Sequence, residues 1–157
     1  MPATVTVSNR QRVIPVKLPA LRDFARRALS ECLNFPGRKP DALGHLAEVS
    51  VIVISDWRMA ELHQRFLQEP GPTDVITFLH GEIFVSAETA RRQARAFRTS
   101  LEHELHLYIA HGLLHLRGYD DKTTAGRAEM KRLQESVVAK VDRALRGSMQ
   151  NSGGSHK

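Results

Sequence analysis

Residues 111–121 read His-Gly-Leu-Leu-His-Leu-Arg-Gly-Tyr-Asp-Asp, and this stretch decides the fold. His111 and His115 are four apart, so on a helix they project from one face. Two imidazoles on adjacent turns reach a common ion at about 2.0–2.1 Å. Gly118 stands where such a helix should stop, because glycine accepts the left-handed conformation. The chain can then turn back and bring Asp121 to the third corner. Three protein ligands and an open position describe a catalytic zinc site. A histidine pair at this spacing is by itself most often incidental. Gly118 and Asp121 in register weigh against that here. So does the mostly apolar run Leu107 to Leu116, in which an unsatisfied imidazole would be costly.

The zinc-protease pattern His-Glu-x-x-His-x-x-Gly-x-x-His has the same spacing. Two differences matter. Gly112 replaces the glutamate that acts as the protease's general base, which argues against peptide hydrolysis by that route. Asp121 replaces the third histidine. A carboxylate is an accepted zinc ligand, though its charge lowers the Lewis acidity of the ion.

Outward from the motif, the spacing predicts a helix opening at Thr99 or Ser100 and running to about Leu116. A last helix opens at Thr123 or Thr124 and runs to about Leu145. On the N-terminal side, residues 3–7 are β-prone, and 19–33 carry Leu21, Phe24, Ala25, Ala28, Leu29 and Cys32 at helical spacing. Residues 47–54 form a Val/Ile-rich strand, and Asp56 is expected to cap a helix reaching Leu67. Residues 68–73 form a loop containing Pro70, Gly71 and Pro72. Strands follow at 74–79 and 82–85, and Ser86 can cap the next helix. Four strands and five helices on one stretch, without a long linker or repeat, predict an α/β (α+β) domain over residues 1–146. The Gly- and Ser-containing stretch 147–157 is expected to be disordered.

The chain has 157 residues, enough for a sizeable core without disulfides. It has one cysteine, Cys32, which reads as a small buried hydrophobe and fits a reducing compartment. No segment has the apolar length of a membrane span, and residues 1–12 lack a signal-type apolar run, so a cytoplasmic location without membrane contact is expected. The net charge of +6 favours polyanionic partners such as RNA without requiring them.

The stretch 111–121 resembles the signature of the YbeY family of rRNA maturation factors, His-Gly-x-Leu-His-Leu-x-Gly-Tyr-Asp-His, and differs only at the last position, Asp121. A second family block, Pro-Thr-Asp-Val-Leu-Ser-Phe, is similar to residues 72–78. A third, Gly-Asp-Ile-x-Ile-Ser, is similar to residues 81–86. The resemblance covers about residues 45–135. It implies a mixed four-stranded sheet packed with helices, with the metal helix along a cleft. It further implies one Zn(2+) per chain, held by His111, His115 and Asp121. The implied activity is that of an endoribonuclease specific for single strands, with rRNA and ribosomal subunits as partners. Its roles would be maturation of the 16S rRNA 3′ end and ribosome quality control. Many family members carry a Tyr-Arg pair before the Pro-Thr-Asp block. Here that register falls on Phe66 and Leu67, so the arginine is missing.

Other candidates follow from position. No general base stands out beyond the ion and its bound water. Glu104 shares the His111 face two turns earlier, and reads either as a base or as a solvated or capping carboxylate. Asp120 is either a catalytic group or a turn residue that binds backbone. Thr73 and Asp74 either contact substrate or simply start a strand. Arg91, Arg95 and Arg98 share a helix face with Arg92 beside them, a solvated surface or a place for RNA backbone contact. His103 and His106 are expected to be exposed or partly packed. Three functions are open: a metal-dependent endoribonuclease, a ribosome-assembly factor with a structural zinc, and a metallohydrolase on another substrate.

Overall fold

A computed structural model describes residues 3–68 and 73–154, with side chains described through Ser148. The Glu48–Ile54 segment is a near-continuous run of Val and Ile, the pattern of a strand buried on both faces. It is β2, and it lies between β1 (Thr4–Asn9) and β4 (Glu82–Ser86), parallel to both. The edge strand β3 (Val75–Phe78) pairs antiparallel with β4, giving the order β1-β2-β4-β3. The sheet is therefore mixed and four-stranded, as expected. The Pro70-Gly71-Pro72 part of the expected loop lies outside the described residues.

Five helices cover this sheet: α1 (Leu18–Asn34), α2 (Asp56–Leu67), α3 (Ala87–Phe97), α4 (Leu101–Leu116) and α5 (Thr124–Gly154). One face of the sheet, with Val49, Val51, Val53, Ile83 and Val85, packs on α1 and α4, and α5 packs against those two helices. Phe24, Leu105, Ile109 and Leu113 fill the space between them. Helix α4 is apolar almost all round, and nine of its residues are buried, as a helix in the middle of a layer must be. The other face carries a smaller cluster of Ile52, Ile54 and Ile76 under Met59 and Leu62 of α2. Cys32 is fully buried, and burial pushes its thiol up to about 12, so it is an unreactive core residue.

Two local expectations are corrected. Ser55, not Asp56, caps α2, accepting from the Arg58 amide at 3.2 Å. The Asp56 carboxylate is used elsewhere, accepting from Ser86 Oγ at 2.6 Å, Thr89 Oγ1 at 2.7 Å and Arg92 at 2.5 Å. The final helix does not end near Leu145 but runs to Gly154, so residues 147–154 are helical. Strong helix formers through Leu145 carry the turn pattern onward past Gly147. Of the two alternatives for His106, the structure shows the partly packed one: its ring stacks on Phe24 at 3.8 Å and meets Asp142 at 3.2 Å. Of the two alternatives for α4, Ser100 is the cap, accepting from the His103 amide at 3.0 Å.

Candidate metal centre

Helix α4 ends in a paired-hydrogen-bond turn. The Gly118 amide donates to His115 O and the Tyr119 amide to Leu114 O, both at 3.0 Å. Gly118 has φ of +105°, and a Cβ there would sit 1.8 Å from Arg38 O. Both backbone sterics and the neighbouring loop therefore require glycine. The turn is tied down on its outer side. Arg117 donates to Phe35 O at 3.0 Å, Leu33 O at 3.2 Å and Asp41 at 2.8 Å, and the Tyr119 hydroxyl donates to Pro36 O at 2.9 Å. The main chain adds Arg38 N to Arg117 O at 2.9 Å and Leu43 N to Leu116 O at 2.8 Å.

This fixed turn returns Asp121 to the histidine face. His111 Nε2 and His115 Nε2 are 3.0 Å apart, and Asp121 lies 3.6 Å from the first and 3.7 Å from the second. Each imidazole faces a different oxygen of the carboxylate, His111 the Oδ2 and His115 the Oδ1. Ligands about 2.0–2.1 Å from a tetrahedral ion are about 3.3 Å from each other, which the observed spacings bracket. On α5, Gln134 Oε1 lies 2.9 Å from His111 Nδ1. An amide oxygen can only accept, so Nδ1 carries the proton and Nε2 presents its lone pair inward. Burial foremost, and then the His111 ring, lower the pKa of His115, with Asp121 opposing them. The neutral, ligating form is thus favoured. Two neutral imidazoles and a carboxylate, held by hydrogen bonds outside the cluster, could hold a metal ion and fit a borderline cation such as zinc.

Gly112, where the zinc-protease pattern has its glutamate, faces the sheet. A Cβ there would meet Ile83 Cγ2 at 2.6 Å. A side chain there would have to displace the buried Ile83, and it would point into the sheet and away from the His111 and His115 face.

A cleft of about 380 Å³ opens beside His111, lined among others by Asp74, Gln93, Phe97, Glu104 and Tyr108. Glu104 is not solvated. It is 5 % exposed and accepts from Thr99 Oγ1 at 2.9 Å, tying down the start of α4. Asp74 starts β3 as a turn residue, its Oδ1 accepting from the Val75 amide at 2.9 Å and from Thr73 at 3.3 Å, while also facing the cleft. Asp120 is exposed and accepts from the Lys122 amide at 3.1 Å, the backbone-binding turn of its bland alternative. Arg91 and Arg95 are exposed on α3. Arg92 is engaged with Asp56 and with Thr89 Oγ1 at 3.0 Å, and so clamps α3 to α2. Arg98 has left the helix as its left-handed cap.

A family model described as Endoribonuclease YbeY matches residues 6–142. The chain belongs to the YbeY endoribonuclease family. It is 36% identical to the Endoribonuclease YbeY of Frankia alni, over 94% of this chain and 87% of that protein. It is 31% identical to that of Acidothermus cellulolyticus, over 92% and 96%. The solution structure of TM1509 from Thermotoga maritima superposes with a TM-score of 0.62, at 28% identity, covering 92% of this chain and 93% of that one. Against the YbeY signature, Asp121 puts a carboxylate where the last histidine would be, and the carboxylate still faces both imidazoles. Phe66 and Leu67, in the register of the Tyr-Arg pair, are half-exposed on the last turn of α2. Sequence reasoning missed Gln134 and Phe97. No local motif marks Gln134, which meets His111 only because α5 packs across α4. Tyr108, three residues before His111 on the same helix face, could have been found by spacing.

Proposed function

We propose that this chain is a zinc-dependent endoribonuclease specific for single-stranded RNA. Its roles are maturation of the 16S rRNA 3′ end and ribosome quality control in the cytoplasm, with rRNA and ribosomal subunits as partners. The observation that carries the reading is the convergence of His111, His115 and Asp121 at the mouth of a cleft. Family membership supports the substrate class, and no described helix is long and apolar enough to cross a membrane. Residues 1–146 act as one unit in this reading, with one zinc per chain.

Within the site, His111 and His115 bind through Nε2 as neutral imidazoles and Asp121 through its carboxylate. Gln134 keeps the His111 proton on Nδ1, pointing away from the cluster. Zinc, when bound, supplies an electrophile that stabilises charge on phosphoryl oxygens. Glu104, buried beside the cleft, and Asp120, on the returning turn, are the carboxylates nearest in sequence to the ligands and the candidates for moving a proton. Thr73, Asp74, Arg91 and Arg95 are candidates for holding RNA. Arg92 reaches RNA only by giving up Asp56.

A second reading is favoured by one feature. Leu67 stands where many relatives place arginine, so the chain can act as a ribosome-assembly factor with a structural zinc. Metal analysis with a cleavage assay on rRNA separates the two. Wild type should carry about one zinc and cut; His115→Ala should lose the zinc and the cutting, yet keep salt-sensitive RNA binding. If wild type binds zinc and subunits but cuts nothing, the assembly reading stands. Leu67→Arg is then the substitution expected to gain activity.

A further inference from the structure

Phe97 is the last residue of α3 and is 67% exposed. A large aromatic side chain exposed at the rim of a cleft offers a flat apolar face to a ligand. Gln93, four residues earlier, shares its helix face and lines the same cleft. Across from them, α4 supplies Glu104 and Tyr108, and the start of β3 supplies Asp74. Tyr108 is 6% exposed, and its hydroxyl has no hydrogen-bond partner among the described residues. Burial, reinforced by Asp74 and Glu104, holds its phenol well above the usual range, so it stays neutral.

The charge of the cleft excludes one class of occupant. Asp74, Glu104 and Glu135 face it, against Lys131. Such walls repel phosphate and attract N–H donors. A base edge carrying an amino group offers those donors, and its ring offers a face for Phe97. The volume of about 380 Å³ falls within the range of small-molecule sites, roughly 300–1,000 Å³. The same cleft ends at His111, so a base held in it would lie on the strand being presented to the metal cluster.

We propose that this cleft is a nucleobase subsite, in which Phe97 stacks on one unpaired base of the RNA and Asp74 and Gln93 read its edge. The inference rests on the endoribonuclease reading and deepens it. It explains a requirement for single strands: a base inside a duplex has no free face to offer. The subsite favours adenine, cytosine and guanine, which carry exocyclic amino groups, over uracil, which does not.

The test compares wild type, Phe97→Ala, Phe97→Trp and Asp74→Asn on short single-stranded oligoribonucleotides of equal length, and on an abasic strand of the same backbone. Binding is measured by fluorescence anisotropy and cleavage on gels. Phe97→Ala should weaken base-bearing strands by roughly ten- to a hundredfold, the loss of one base–aromatic stack, and leave the abasic strand unchanged. Phe97→Trp should restore the affinity. Wild type should prefer cytosine over uracil strands by about tenfold, the worth of one hydrogen bond to a charged group, and Asp74→Asn should reduce that preference. Phe97→Ala that binds and cuts base-bearing strands as wild type does overturns the subsite and leaves the endoribonuclease reading intact. Phe97-dependent binding by a wild type that cuts no RNA supports the subsite and overturns the endoribonuclease reading.

Discussion

The two faces of the sheet are built to different standards. On one, α1 and α4, backed by α5, bury Val49, Val51, Val53, Ile83 and Val85, and α4 contributes Ile109, Leu113 and Leu114 without exposure. On the other, α2 is the helix that covers Ile52, Ile54 and Ile76 among the described residues, Phe78 and Phe84 remain partly buried, and Phe66, Leu67 and Leu79 are half-exposed. The metal cluster is on the thick side. A cluster of donors with spacings of 3.0–3.7 Å survives only if its supports hold position to a few tenths of an ångström. The thick face provides that through Gly118, Arg117, Tyr119 and the close contact of Gly112 with β4. The thin face needs no such precision. That contrast accounts for the latitude at Leu67 and the absence of latitude at Gly118.

The contrast can be broken most directly at Gly118. Gly118→Ala forces a Cβ into Arg38 O at a left-handed φ, and should destabilise by more than about 4 kcal/mol in urea titration, with loss of zinc. A milder loss would show that the 35–44 loop is free to move and does not hold the turn.

On the thin face, Met59→Ala removes a fully buried side chain and should cost about 2–4 kcal/mol. Zinc stoichiometry should stay at the wild-type value in the folded protein. Metal loss at concentrations where the variant remains folded would mean that the two faces are not independent.

Gln134→Ala leaves the core untouched and should lower zinc affinity by about 10–100-fold, the usual cost of losing the partner of a ligating imidazole. Competition with a chromogenic chelator measures it. An unchanged affinity would show that the His111 ring is oriented by packing alone.

The smallest effect is a pH dependence on the thick side. Burial lowers the pKa of His106, more than Asp142 raises it. The unfolded chain then binds more protons, so stability rises with pH. This contribution is fully present above the ordinary histidine value of about 6.5 and is lost as the solution is acidified below it. His115 shifts in the same direction. His106→Gln should therefore reduce the slope of Tm against pH between about 5 and 7 without abolishing it. A steeper slope in the variant would reverse the sign assigned to His106.

The sequence by itself determined the four strands, the five helices and the candidate ligand triad, because each is written in local terms. β2 is a run of Val and Ile, His111 and His115 are one helical turn apart, and Gly118 marks the helix end. It also identified Cys32 as core. What only the tertiary structure decided depends on side chains from distant parts of the chain meeting. Asp56 has a capping residue's chemistry, yet Ser55 took the cap, because Ser86, Thr89 and Arg92 arrive from β4 and α3 to claim the carboxylate. Glu104 looked like a solvated carboxylate and is buried, because α3 and α5 close over the start of α4. Gln134 has no motif of its own; α5 must pack across α4 before its amide reaches His111. Local periodicity encodes which face a residue occupies, but the neighbour it meets there is set by how the layers stack.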